Sequence, residues 1–261
     1  VIPLFTFGDG VTDPDIIDIF PVAEFDYDDS LATLTVDEYG ARLTILGSSS
    51  TTYTWEGGTG SWADANWQVG GTSGNTPVDG NDMIIEIAGS EVTVDSGNPA
   101  PSTVTVATAS DAKLIVASGH SLDATGAITV GAGGTLAGEG TVSGTISVAG
   151  TVAPGTSIGT LTVGGGTMAL TGSLEAEVNA KATSTGVSDK IVVSATGGPK
   201  MTISGSTLKV SGIGRGSSSA ELNSFGNFTR TVIESSSPGQ AIMGSSEEFA
   251  AAVPLAPSGT S

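Results

Sequence analysis

The chain has 261 residues, of which 39 are glycine and none is cysteine, and 27 acidic against 8 basic residues give a net charge of −19. The lack of cysteine excludes disulfide frameworks, thiol catalysis and cysteine-ligated metals, and the one histidine, His120, excludes multi-histidine metal sites. Such an acidic chain is not expected to bind nucleic acid, which requires a basic surface. No apolar run approaches the roughly 18 residues of a membrane-spanning helix, so we expect no membrane span.

Residues 1–50 form a predicted N-terminal extension. The first residue is valine, which is typical of a chain from which a signal peptide has been removed, and so predicts a secreted protein. The apolar, β-prone segment 1–7 is followed by an acidic stretch. Alternating residues at 31–36 and 41–47 flank a short loop that ends in glycine, which predicts a β-hairpin.

Residues 53–101 contain all three tryptophans, Trp55, Trp62 and Trp67, followed by two short predicted strands at 83–89 and 91–97. We interpret this segment as a module that caps the open end of a sheet structure, where exposed backbone must be covered. The alternative is that the indole rings stack on sugar rings and bind a glycan.

Residues 102–250 form the predicted body, an all-β, parallel β-solenoid (β-helix). Short alternating strands recur near residues 112, 127, 145, 160 and 173 with glycine turns between them, which is the pattern of a solenoid. A β-sandwich of short hairpins is the alternative, but the asparagine-glycine signals of tight hairpins are missing. Further strands are predicted within 189–197, 199–212 and 228–235, and residues 251–261 are predicted to be a C-terminal tail.

Three segments in order resemble one known pattern. Residues 134–166, above all PGTSIGTLTV at 154–163, resemble the passenger-associated β-strand repeat of autotransporters and related bacterial surface proteins. Residues 188–195, followed by 205–210, are similar to the strands that come after that repeat, and residues 230–249 resemble the next element. The tryptophan segment resembles a W-GG-G-W-ANW module found ahead of the repeat. The resemblance covers about residues 53–250. It implies a solenoid on a bacterial cell surface, and it implies little about function because one fold hosts many functions.

The acidic stretch contains one candidate metal site. Asp9, Asp13, Asp15 and Asp18 lie close together, and calcium takes several carboxylate ligands, so calcium is the one candidate cofactor. The EF-hand spacing is not met, because Pro14 interrupts it and no glutamate completes the loop. The alternative is a solvated acidic face that keeps the protein soluble.

No catalytic residue is predicted. His120 has Asp123 nearby, but no nucleophile motif accompanies them. Glu175 and Glu177 are two residues apart on a predicted strand and share a face, as paired carboxylates of a glycosidase would. We interpret them as a solvated edge.

The function predicted from these features is that of an extracellular, cell-surface structural protein. It would be a self-assembling subunit of a fibre, filament, layer or matrix, with a second copy of itself as partner. The contacts would be the solenoid edges and addition of the N-terminal strand to a neighbour's sheet, through the assembly residues Val1, Ile2, Leu4, Phe5 and Phe7. The same strand can instead cap its own sheet. A monomeric adhesin that binds a glycan or host surface is the alternative, and a polysaccharide-active β-helix enzyme is the third hypothesis.

Overall fold

The computed structural model of the chain describes residues 2–6, 32–37, 40–45, 50–108, 111–179, 188–194, 200–212, 231–235 and 251–254. In the first three ranges and the last, the description covers the strands and their pairing only. Contacts divide the chain into two compact units, Val1–Ser50 and Thr51–Ser261. The described residues contain strands, turns and bends but no helix, so none of their segments is a helix that could cross a membrane.

The first unit contains a three-stranded antiparallel sheet. Its strands are β1 (Ile2–Thr6), β2 (Ala32–Asp37) and β3 (Gly40–Ile45), in the order β1-β3-β2. The predicted hairpin is confirmed: β2 and β3 pair from Ala32 opposite Ile45 to Asp37 opposite Gly40, with two residues between them. The apolar segment at the start of the chain pairs with β3 of its own chain, with a register irregularity between Pro3 and Phe5.

The second unit contains two large sheets. Its strands are β4 (Thr52–Trp55), β5 (Thr59–Ser61), β6 (Trp67–Val69), β7 (Thr72–Asn75), β8 (Asp82–Ile85), β9 (Glu91–Val94), β10 (Thr103–Val106), β11 (Lys113–Val116), β12 (Ser121–Val130), β13 (Thr135–Gly138), β14 (Thr141–Val148), β15 (Thr151–Pro154), β16 (Thr160–Leu170), β17 (Ser173–Val178), β18 (Lys190–Val193), β19 (Met201–Ile203), β20 (Thr207–Gly212), β21 (Ile233–Ser235) and β22 (Ala251–Pro254). The eleven-stranded sheet has the order β21-β18-β16-β14-β12-β10-β8-β4-β6-β7, with β19 beside β16. The eight-stranded sheet has the order β22-β20-β17-β15-β13-β11-β9-β5.

Consecutive strands of the chain alternate between the two sheets from β8 to β18. Pairing within both sheets is parallel, except where β6 pairs with β4 and β7 pairs with β6. The all-β class with large parallel sheets is therefore confirmed.

The core consists of stacked columns of aliphatic side chains that both sheets contribute to one cluster. In the eleven-stranded sheet, Val104 lies between Met83 and Ile128 of the neighbouring strands. In the eight-stranded sheet, one column runs through Val92, Leu114, Leu136, Val152, Leu174 and Leu208. Alternate residues point inward because side chains alternate along a strand, so the period of two in the sequence becomes one buried face per strand.

Small residues stand immediately before the strands of the eight-stranded sheet. They are Ser90, Ala112, Gly134, Gly150, Gly172 and Ser206. From Ser90 to Gly172, the carbonyl of each accepts a hydrogen bond of 2.8–3.0 Å from the first amide of the next strand in the sheet. A Cβ on Gly172 would lie 1.9 Å from the Gly150 oxygen, so backbones touch here and only glycine fits.

Two sequence-based expectations differ from the structure. The strands near residues 112 and 173 belong to the eight-stranded sheet, whereas those near 127, 145 and 160 belong to the eleven-stranded sheet, so they do not form one series. Alternation of side chains is the same in both sheets and cannot separate them. In addition, part of the predicted tail forms β22, which pairs in parallel with β20.

Candidate functional site

The three tryptophans form one buried cluster at the β4–β7 end of the second unit. Trp55 and Trp67 are 0 % exposed and Trp62 is 4 % exposed. The Trp67 ring makes edge-to-face contacts with both others, at centroid distances of 5.2 Å. The Trp67 indole N–H donates to the Trp62 carbonyl at 3.0 Å. The faces of Trp55 and Trp67 are therefore covered, and a sugar could reach only the rim of the cluster.

That rim is a shallow cavity of about 270 Å³. Its lining includes Trp62, Pro77, Asp79, Asn98 and Pro99. Two oxygens of this lining are engaged by the backbone, since Asp79 Oδ1 accepts the Ala100 amide at 2.8 Å and Asn98 Oδ1 accepts the Ser121 amide at 2.9 Å. The cavity combines the apolar surfaces of Trp62 and two prolines with a polar rim.

The predicted assembly residues lie in or beside β1. Ile2, Leu4 and Phe5 belong to β1, which pairs with β3, while Val1 and Phe7 lie outside the described residues. The pairing is made by main-chain groups, which carry little information about the identity of the partner.

The predicted calcium ligands Asp9, Asp13, Asp15 and Asp18 also lie outside the described residues. Within the described ranges, no three His, Asp or Glu side chains converge in a way that could hold a metal ion.

His120 and Asp123 are engaged separately. His120 Nδ1 donates to the Gly97 carbonyl at 3.0 Å, and Asp123 Oδ2 accepts the Ser121 hydroxyl at 2.6 Å. Neither hydrogen bond joins the two side chains, so the structure does not show them as a base and its orienting acid.

Glu175 and Glu177 do share a face of β17, as expected from their spacing. They line a cleft of about 490 Å³ on the eight-stranded sheet. Glu175 is paired with Lys209 on the neighbouring strand at 3.0 Å. Glu177 Oε2 is buried and has no hydrogen-bond partner among the described residues.

A third carboxylate of this cleft, Asp189, was missed by sequence reasoning. It is 3 % exposed, and its two oxygens accept the amides of Gly159 at 2.8 Å and Glu177 at 2.7 Å. Burial raises the pKa of the Asp189 carboxyl from 3.8 to about 6, because desolvation outweighs those two hydrogen bonds, and the charges of Glu177 and Glu139 raise it further.

Asp189 therefore holds main-chain groups rather than facing a substrate. A perturbed carboxyl in a cleft is a general sign of a functional site, but here both oxygens are occupied and the side chain is buried. The sequence offered only a weak signal, an aspartate at the start of a predicted strand. Its partners lie 30 and 12 residues earlier in the chain, and alternation cannot bring them together.

Comparison of the chain with protein-family models, with curated proteins and with solved structures found no match.

Proposed function

We propose that the chain is an extracellular structural protein whose second unit is a parallel β-solenoid of the kind found in autotransporter passengers. The alternation of consecutive strands between two parallel sheets from β8 to β18 supports this architecture. A solenoid coil that contributes one strand to each sheet per turn has this connectivity. The resemblance of residues 134–166 to the passenger repeat supports a location on a bacterial cell surface.

Within this proposal the protein is a self-assembling subunit of a fibre, filament, layer or matrix. One observation carries the proposal: β1 joins its sheet through main-chain pairing with β3, and residues 7–31 separate it from β2. The β3 edge of another copy offers β1 the same pairing. Exchange of β1 between copies is expected where the local protein concentration is high, as on a crowded surface.

The tryptophan end of the second unit is a poor stacking surface. Its eleven-stranded sheet ends in the short antiparallel strands β6 and β7, and Gly70, Gly71 and Gly74 nearby have positive φ. Short, irregular edges oppose strand addition. Among the described residues of the second unit, the exposed large apolar side chains are the separate Val78 and Ile87. The N-terminal strand therefore has a larger role in the proposed assembly than the tryptophan end of the second unit.

The test uses the natural absence of cysteine. Phe5 and Ala41 are paired across β1 and β3, so one copy carries Phe5→Cys and another carries Ala41→Cys, and the mixture is oxidised at high protein concentration. Strand exchange predicts a disulfide-linked heterodimer. Phe5→Cys mixed with Val78→Cys is the control, because Val78 is 55 % exposed and lies in the second unit. If the protein forms particles but the Phe5→Cys and Ala41→Cys mixture gives no more cross-linked dimer than the control, the strand-exchange contact is overturned.

Particle size tests self-assembly itself. Negative-stain imaging and light scattering would be carried out with and without calcium, and at low and high salt. A subunit with a net charge of −19 should form larger particles when salt screens its repulsion. Deletion of residues 1–7 should reduce particle size. Monomers under all conditions would overturn self-assembly.

A monomeric glycan-binding domain is the second candidate, favoured by the Trp62-lined cavity. A glycan array with the intact protein tests it. Binding that weakens in Trp62→Phe, with unchanged thermal unfolding, would support this candidate. No binding to the array would remove it.

A further inference from the structure

The strongest feature outside the proposed assembly contact is the set of hydrogen bonds made by residues 188–190 at the start of β18. Ser188 donates its hydroxyl to the Thr231 carbonyl at 3.0 Å. The Asp189 amide donates to the Glu177 carbonyl at 2.8 Å, and the Lys190 amide donates to the Gly159 carbonyl at 3.0 Å. With the two bonds to its carboxylate, Asp189 ties β18 to the start of β16 and the end of β17. We call Asp189 and its two amide partners, Gly159 and Glu177, the Asp189 clasp.

The electrostatic surroundings of the clasp are unbalanced. Glu177 belongs to β17, and Glu139 lies before β14 with its Cγ 2.7 Å from where a Cβ on Gly159 would be. The nearby lysines are already paired, Lys209 with Glu175 and Lys190 with Glu234. Asp189 thus has two carboxylates, Glu177 and Glu139, as charged neighbours, and one of their oxygens, Glu177 Oε2, is buried without a partner among the described residues.

We propose that the Asp189 clasp is a proton-operated contact, in which acidification tightens the attachment of β18 to β16 and β17 and alkaline pH loosens it. A proton on Asp189 removes one of the three negative charges. The remaining lone pairs of its oxygens still accept the two amides. This inference does not depend on self-assembly.

The direction follows from linkage between proton binding and folding. The folded carboxyl, with its pKa of about 6, holds a proton more tightly than the unfolded carboxyl, with its ordinary pKa of 3.8. The stabilisation is complete below about pH 3.8 and is lost as the pH rises through about 6. Between pH 8 and pH 5, the two pKa values predict that the opening equilibrium of the clasp falls about tenfold.

Hydrogen exchange measures that opening. The amides of Gly159 and Glu177 would be followed by NMR at pH 5 and pH 8 and corrected for intrinsic exchange rates. We expect about tenfold more protection at pH 5. The internal control is the Gly89 amide, which donates to the exposed Asp111 carboxylate at 2.8 Å. These two residues lie just before the neighbouring strands β9 and β11. Equal changes at all three amides would overturn the proposal, since they would report only a general effect of pH.

A set of variants gives a second test, which remains valid even if one of the variants does not fold. Glu177→Gln and Glu139→Gln each remove a neighbouring charge, so the midpoint of the pH dependence should move to lower pH. Asp189→Asn should abolish the pH dependence at Gly159, whereas Asp111→Asn should leave it unchanged. A midpoint unaltered in both glutamine variants would overturn the electrostatic origin of the clasp.

Discussion

Replacing Gly172 by alanine tests the close approach of backbones at the corner before β17. The new Cβ would lie 1.9 Å from the Gly150 oxygen and 2.3 Å from the Ala149 oxygen. Carbon atoms do not approach oxygen within 3.0 Å, so the backbones must separate by about 1 Å if the side chain is to fit.

Separation threatens three hydrogen bonds at this corner. Thr171 donates to Val148 at 2.9 Å, Gly172 donates to Val148 at 3.2 Å, and Ser173 donates to Gly150 at 2.8 Å. At a net value of about 1 kcal/mol each, their loss predicts a destabilisation of about 3 kcal/mol. The backbone of Gly172 does not have positive φ, so this cost is steric alone.

Gly119→Ala is the matched control. Gly119 has a φ of 82°, and a Cβ there would meet nothing within 4 Å. Alanine in this left-handed region costs about 1–2 kcal/mol. Urea unfolding of both variants and the parent gives the two free-energy changes. A cost at Gly172 equal to or below that at Gly119 would refute the reasoning that contact between backbones, and not conformational freedom, requires glycine at this corner.

Other substitutions test the packing around the same sheets. Trp67→Ala should lower the free energy of unfolding by about 3–5 kcal/mol, since its ring is fully buried and contacts both other tryptophans; thermal unfolding checks this. Ser90→Ala should leave the free energy of unfolding unchanged or raise it, because the buried Ser90 hydroxyl has no partner among the described residues. Ser206→Ala should lower it by about 1 kcal/mol, because the Ser206 hydroxyl donates to the Leu170 carbonyl at 2.6 Å. Urea unfolding measures both changes. A double-mutant cycle on Glu175 and Lys209, both partly exposed, should give a coupling of about 0.2–1 kcal/mol that falls in high salt.

Strands with a clear alternation of apolar and polar residues were predictable, whereas β4 to β7 in the tryptophan segment were not predicted. Short alternating segments correctly predicted β8, β9 and the β2–β3 hairpin. The assignment of strands to sheets was not predictable in the same way, because β11 and β12 have similar alternating patterns and yet belong to different sheets. The register between neighbouring strands depends on how many residues separate two stacked positions in the sequence, and this number varies along the chain. The Ile128 to Ile146 step spans 18 residues, whereas Ile146 to Met168 spans 22.

The candidate site was less predictable than the fold. Glu175 and Glu177 were found because a period of two puts them on one face. Their environments could not be read from that pattern, since Lys209 arrives from a strand 34 residues away and Asp189 arrives after an intervening segment. The physical reason is that burial and pairing, which set the charge state of a carboxyl group, are properties of the stacked strands together. A single strand does not contain them.

The register of the stacked strands requires more than the hydrophobic core. The buried columns are built from valine, leucine and isoleucine, so sliding a strand by two residues would replace one aliphatic side chain by another at little cost in burial. The glycine corners before β15 and β17 do not permit that slide. Moving β15 by two residues would bring Val152 to the level of Gly150, where a Cβ would already lie 2.1 Å from the Gly134 oxygen. The ion pairs of Lys113 with Glu91 and Lys209 with Glu175 select the same register, but their partial exposure makes each a minor contribution. Part of the high glycine content of this chain thus determines which strand positions stack, while the aliphatic residues supply the stability of the stack.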